Sequence, residues 1–206
     1  MIEIVGTIAF AVSGALTGLR KNMDIFGVAV LGVTTAVGGG MVRDLILGDT
    51  PPVMFRTPVY SMVAVATAIV VFLPPVRERL LESHKTVDIL LLVMDNLGLG
   101  VFTVIGVEKA IQSETECGLF LTVFVGVLTG VGGGLLRDVM AGNPPYIFVK
   151  HVYACASIVG ALLCALLWGI AGSRVSMLLG AAAVVMIRFL AAHYRWSLPR
   201  AGTEKK

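Results

Sequence analysis

Residues 33–48 read VTTAVGGGMVRDLILG and residues 127–142 read VLTGVGGGLLRDVMAG. The two GGGxxRD cores lie 94 positions apart, counted from Gly38 to Gly132, and each sits inside a long apolar run. The match continues past the core with a one-residue gap, pairing Pro51-Pro52-Val53-Met54-Phe55 with Pro144-Pro145-Tyr146-Ile147-Phe148. It also extends backwards, since Glu3, Gly6, Phe10 and Gly14 parallel Asp95, Gly98, Phe102 and Gly106. The chain is therefore an internal repeat, and the number of apolar segments per copy decides its architecture.

Composition says where those segments belong. Of 206 residues, 57% are hydrophobic and 14% charged, against roughly 25% charged in a soluble domain. So little polar surface cannot coat a globule in water. Seven apolar segments follow one another: Ile2–Leu19, Ile25–Leu47, Pro58–Val76, Thr86–Val107, Gly118–Met140, Val152–Ala171 and Val175–Ala192. Each is about long enough to cross ~30 Å of hydrocarbon at ~1.5 Å per residue. Backbone polar groups in lipid must satisfy one another, so the expected fold is an all-α polytopic membrane protein. Ile2–Leu19 lacks a basic leader and carries Glu3, so it reads as a retained helix and not a secretory signal.

Segments one to three repeat as four to six, with the seventh left over. A unit with three crossings enters the membrane from opposite faces in its two copies, which makes the halves a 3+3 inverted repeat plus one. The expected organisation is a single membrane domain over 1–206, with repeats at 3–85 and 86–173, a seventh helix at 174–196 and a cytoplasmic tail at 197–206. The loops opposite the N-terminus collect Arg20, Lys21, Arg77, Arg79, Lys85, Lys150, Arg195, Arg200, Lys205 and Lys206, and those on its own side Arg56, Lys109 and Arg174. Ten against three places the N-terminus outside and the C-terminus in the cytoplasm by the positive-inside rule. Arg43, Arg137 and Arg188 lie within spans and do not enter that tally.

The glycine triplets, Gly38, Gly39, Gly40 and Gly132, Gly133, Gly134, admit two readings. Each glycine costs about 1 kcal/mol against alanine in a helix interior, so three together favour a kink or break at mid-membrane, where freed carbonyls could face an ion. Close helix packing is the alternative, because glycine lets backbones approach. Arg43-Asp44 and Arg137-Asp138 follow the triplets. Charges inside a span pair or face water, and the repeat symmetry allows Arg43 to meet Asp138 while Arg137 meets Asp44; solvated anchoring near the interfaces is the other possibility. Glu3 and Asp95 read as equivalent helix starts, either caps or cation-attracting pore mouths. Thr34 and Thr129, with Thr35, Ser13 and Thr103, supply hydroxyls suited to a wet path or to packing. Tyr60, Tyr153, Trp168, Tyr194 and Trp196 fall near span ends, as interface aromatics do.

Other chemistries have little support. Cys117, Cys155 and Cys164 show no metal or disulfide spacing, and Cys155 and Cys164 read as small packing residues. His84, His151 and His193 have no ligand partner at helical spacing, so no metal site is expected. A phosphate-binding loop would need GxxxxGK[ST] after a strand, and no Ser/His/Asp or HExxH arrangement marks an enzyme.

The doubled GGGxxRD motif, the two three-helix repeats with a seventh helix and the outside N-terminus together resemble the prokaryotic trimeric intracellular cation channels, over nearly the whole chain. That family has also been labelled glycine-transporter-like. The resemblance implies a homotrimer in the prokaryotic inner membrane, surrounded by lipid, with a pore in each protomer kinked at the two triplets. It implies passive passage of monovalent cations, chiefly K+, with no cofactor and no nucleic-acid partner. Arg43, Asp44, Arg137 and Asp138 carry over as motif members. A secondary transporter of a small solute such as glycine is the second expectation, since inverted repeats with broken helices also mark carriers.

Overall fold

The computed structural model describes residues 2–115, 117–149 and 152–196. His151, Lys150 and the 197–206 tail fall outside the described residues. Ten helices follow in chain order: α1 (Ile2–Arg20), α2 (Ile25–Leu47), α3 (Val53–Arg56), α4 (Val59–Phe72), α5 (Pro74–Leu81), α6 (His84–Gln112), α7 (Leu119–Met140), α8 (Tyr146–Val149), α9 (Tyr153–Ala171) and α10 (Ser173–His193). Six of them are long and apolar enough to cross a membrane unaided, and α4 with α5 forms a seventh span bent by 69°. The third segment, expected as one apolar run over Pro58–Val76, is thus divided between two helices. The cause is Pro74-Pro75, which cannot continue α4 and instead starts α5 at its first helical positions.

Local chemistry sets the ends of the spans. Asp24 caps α2 by accepting the Gly27 amide at 2.7 Å. Gly48, left-handed at φ 75°, terminates it, with its amide returning to Asp44 and Leu45 carbonyls. α6 starts at Ser83, whose hydroxyl accepts from the Thr86 amide.

The centre is a four-helix ring in which α1 packs on α2 and α6, and α7 packs on the same two. α4 lies against α1 and α2, and α9 lies against α7 and α6, so the third helix of each repeat takes an equivalent seat. α10 has no counterpart; it covers α6 and α9. The charged connections agree with this threading, since Arg20 at the end of α1 pairs with Asp88 near the start of α6 at 2.6 Å.

Repeat symmetry is visible atom by atom. Phe10 and Phe102 meet at the centre with ring centroids 5.2 Å apart. A Cβ on Gly6 would strike Phe102, and one on Gly98 would strike Phe10. Likewise a Cβ on Gly14 would lie 2.6 Å from Thr35 Oγ1, and one on Gly106 would lie 2.6 Å from Thr129 Oγ1. The small-residue stretches Gly14–Gly18 (GALTG) and Gly126–Gly130 (GVLTG) thus serve α1–α2 and α6–α7 packing within the protomer. Cys164 is fully buried in the core, whereas Cys155 is exposed; its expected packing role is not met because it lies on the outer side of α9.

Candidate functional site

The triplets sit where α2 crosses α7, and both helices run through them without interruption. Of the kink or break expected there, a break is absent. Instead, a Cβ on Gly39 would lie 2.3 Å from the Thr129 carbonyl oxygen, and one on Gly133 would lie 2.1 Å from that of Thr35. A Cβ on Gly132 would lie 3.1 Å from the Gly39 Cα. Backbone against backbone leaves no side chain to yield, so the middle glycines are required by the crossing itself. Thr35 and Thr129 return their hydroxyls to Leu31 and Val125 carbonyls, each at 2.6 Å, and are fully buried. Thr34 is half-buried beside Gly38. Thr103 bonds Ser157 at 2.7 Å. Thr35, Thr129 and Thr103 thus spend their hydroxyls on partners inside the bundle.

Two charged sites flank the crossing, one towards the N-terminal face and one towards the opposite face. Each motif arginine turns onto its own neighbour: Arg43 Nε donates to Asp44 Oδ1 and Arg137 Nε to Asp138 Oδ1, both at 2.8 Å. Among the described residues the Arg43–Asp138 and Arg137–Asp44 pairs do not form, because each arginine reaches the adjacent carboxylate more readily than one beyond the glycine crossing. Each aspartate then spends its second oxygen on the next short helix. Asp44 Oδ2 accepts the Val53 amide and Asp138 Oδ2 the Tyr146 amide, at 2.9 Å in both. This is why the motif extends to the paired prolines: the carboxylate caps the turn that follows them.

Beyond that shared frame the sites diverge. At the first, Glu3 is half-buried and accepts from Tyr60 Oη at 2.7 Å. Glu3, Tyr60, Arg43 and Asp44 border a small cavity of about 30 Å³ with Thr7 and Gly40, room for about one water. Asp44 also lines a second, wider cavity of about 360 Å³ with Asp49, Lys109 and Glu114. Its three acids and one base include Asp44, paired with Arg43, and Asp49, paired with Arg56, so this vestibule carries little net charge.

At the second site Asp95 is fully buried and bound to Arg137 Nη1 at 2.6 Å, while Nη1 also donates to Ser13 at 2.5 Å. Asp95 is not a helix start, because α6 begins at His84, about three turns earlier. Tyr153, equivalent to Tyr60, is buried with its ring under the Arg188 guanidinium at 4.8 Å. Arg188 donates to Asn96 Oδ1 at 2.9 Å. Among the described residues, no acid pairs with it.

The sequence reads Tyr60 and Tyr153 as interface aromatics and assigns no role to Asn96 or Arg188; Tyr153 is instead buried inside the bundle. The tyrosines carried a signal, since each stands eight residues after the second proline of its repeat. Arg188 carried another, an arginine within an apolar span that has no acid on its own helix.

A bundle of apolar spans built from two equivalent halves, with buried ion pairs on either side of their crossing, defines a multi-span membrane protein of the inverted-repeat class. The chain belongs to the family described as "Glycine transporter", which it matches over residues 1–74 and 92–169. It is 38% identical to the "UPF0126 inner membrane protein YadS" of Escherichia coli (strain K12) over 96% of this chain and 93% of that one. Identity to the "UPF0126 membrane protein YvgT" of Bacillus subtilis (strain 168) is 32%, over 97% and 94%. Among solved structures, one described as the "structural basis for conductance through TRIC cation channels" superposes with a TM-score of 0.86 at 31% identity, covering 100% of this chain and 98% of that one. The "TRIC trimeric intracellular cation channel orthologue from Rhodobacter sphaeroides" gives 0.82 at 33%, covering 95% and 97%.

Proposed function

We propose that each protomer passes monovalent cations, chiefly K+, down their gradient, and that three copies assemble as a homotrimer in a bacterial inner membrane. The observation that carries this reading is the placement of the charged sites within the α1–α2–α6–α7 ring of a fold shared, end to end, with solved cation channels. Ions would enter by the polar vestibule at Asp44 and Asp49, reach Glu3, and meet the glycine crossing and then the Asp95 site. The Asp95 site is closed in this conformation. The positive-inside bias puts the vestibule outside and Asp95 towards the cytoplasm.

A second reading, a carrier of a small solute such as glycine, is favoured by the description of the family that the chain matches. Purified protein in liposomes separates the two. Stepwise currents carried by K+, with K+ efflux unaffected by glycine, support the channel; saturable glycine uptake without current steps overturns it.

A further inference from the structure

The two repeats end their third helix differently. α9 runs 19 residues without interruption, about 29 Å at ~1.5 Å per residue, close to the ~30 Å of hydrocarbon. α4 has 14 residues and reaches only about 21 Å. Pro74-Pro75 stops it where the second repeat continues through Leu167-Trp168, and the chain turns by 69° into α5. A span that stops short meets the lipid headgroups at its own polar end. α5 is held there, since Leu80 packs with Phe72 and Met23 against a core that includes Leu16, Leu19 and Val71.

Between α5 and the turn after α1 lies an open groove of about 720 Å³. Leu19, Met23 and Phe72 give it an apolar lining, and Asn22, Arg77, Glu78 and Glu82 a polar one. The Arg77 guanidinium lies over the Phe72 ring at 5.4 Å, which keeps it at the groove. Glu78 and Glu82 stand one turn apart, on the same side of the chain. Among the described residues none of these three charges has an ion-pair partner. Two carboxylates beside one guanidinium repel an anionic headgroup. They complement a zwitterion.

We propose that this groove seats a phospholipid headgroup bearing a primary ammonium, the chemistry of phosphatidylethanolamine. Arg77 holds the phosphate, Glu78 and Glu82 accept from the ammonium, and the apolar lining covers the first carbons of the chains. A quaternary ammonium has no N–H to donate, so a choline headgroup forgoes the charge-assisted hydrogen bonds. The inference needs the chain to span a bilayer and does not depend on what it conducts.

The test titrates delipidated protein in detergent with dioctanoyl phosphatidylethanolamine, phosphatidylcholine and phosphatidylglycerol, and counts bound lipid by native mass spectrometry. The ethanolamine lipid is expected to bind about tenfold tighter than the choline lipid, the worth of one charged hydrogen bond. Glu78→Gln with Glu82→Gln removes that preference, whereas Arg77→Leu weakens both lipids alike. Both glutamates are exposed, so their replacement leaves the fold intact. Lipid bound elsewhere on the surface is common to all the proteins, and the comparison isolates the groove. Equal affinity for the ethanolamine and choline lipids, or tighter binding of the glycerol lipid, overturns the proposal. So does a preference that survives the double substitution, or unchanged binding by Arg77→Leu.

Discussion

The two halves of this protein share a backbone plan and differ in what they do with one carboxylate. In the first, Glu3 is held by a tyrosine beside a cavity; in the second, Asp95 is sealed under an arginine. Sequence differences at the equivalent positions account for the contrast. Glu3 becomes the shorter Asp95, exposed Ile4 becomes buried Asn96, and Arg137 finds Ser13 where the counterpart of Ser13, Ile105, offers Arg43 nothing polar. A repeat supplies the frame, and departures from the repeat supply the specialisation.

The largest effects should fall on both halves alike. Gly39→Ala and Gly133→Ala each drive a methyl into a carbonyl that cannot move aside, at a cost of about 1–3 kcal/mol or more. Equal losses of melting temperature in detergent would confirm the twofold crossing; tolerance of either would break it. Next comes Arg137→Gln against Arg43→Gln. The first leaves Asp95 buried and uncompensated, worth about 3–5 kcal/mol. The second leaves a carboxylate beside a cavity that water can enter, costing about 1–3 kcal/mol. Comparable losses would mean the second site is no more sealed than the first.

The outer glycines sharpen the contrast at lower cost. A Cβ on Gly40 meets nothing closer than Arg43 Nη2 at 3.6 Å, whereas one on Gly134 meets Tyr153 Oη at 2.9 Å. Gly40→Ala is expected to stabilise by up to about 1 kcal/mol through helix propensity, and Gly134→Ala to gain less or to lose stability, measured on the same melting scale. Smallest of all is Asp88→Asn, which breaks an ion pair to Arg20 whose carboxylate is 67% exposed. It should shift stability by less than about 1 kcal/mol and fade further in salt.

Much of this fold was legible in the residues, because lipid imposes a simple rule on every span. The bounds of α2 at Ile25 and Leu47 match the apolar run, since Asp24 and Gly48 mark both ends. Pro74-Pro75 was equally legible as a helix start but was read through, so the bend after α4 was missed. The glycine triplets show the limit more clearly. Their composition is equally consistent with a broken helix and with a tight crossing, and only the partner decides. Gly39 and Thr129 are far apart in the chain, so the carbonyl that fixes the role of the triplet is invisible to local pattern. The same holds for Arg137, whose choice of Asp95 depends on where α6 stands.

A double-mutant cycle reaches the central claim most directly. Melting temperatures in detergent are compared for Arg137→Gln, Asp95→Asn and the pair, and for Arg43→Gln, Glu3→Gln and the pair. The structure predicts that the second-half losses are strongly non-additive, because one ion pair is broken by either change, and that the first-half losses add within about 0.5 kcal/mol. Additive losses at Arg137 and Asp95, or equal coupling in both halves, would contradict it.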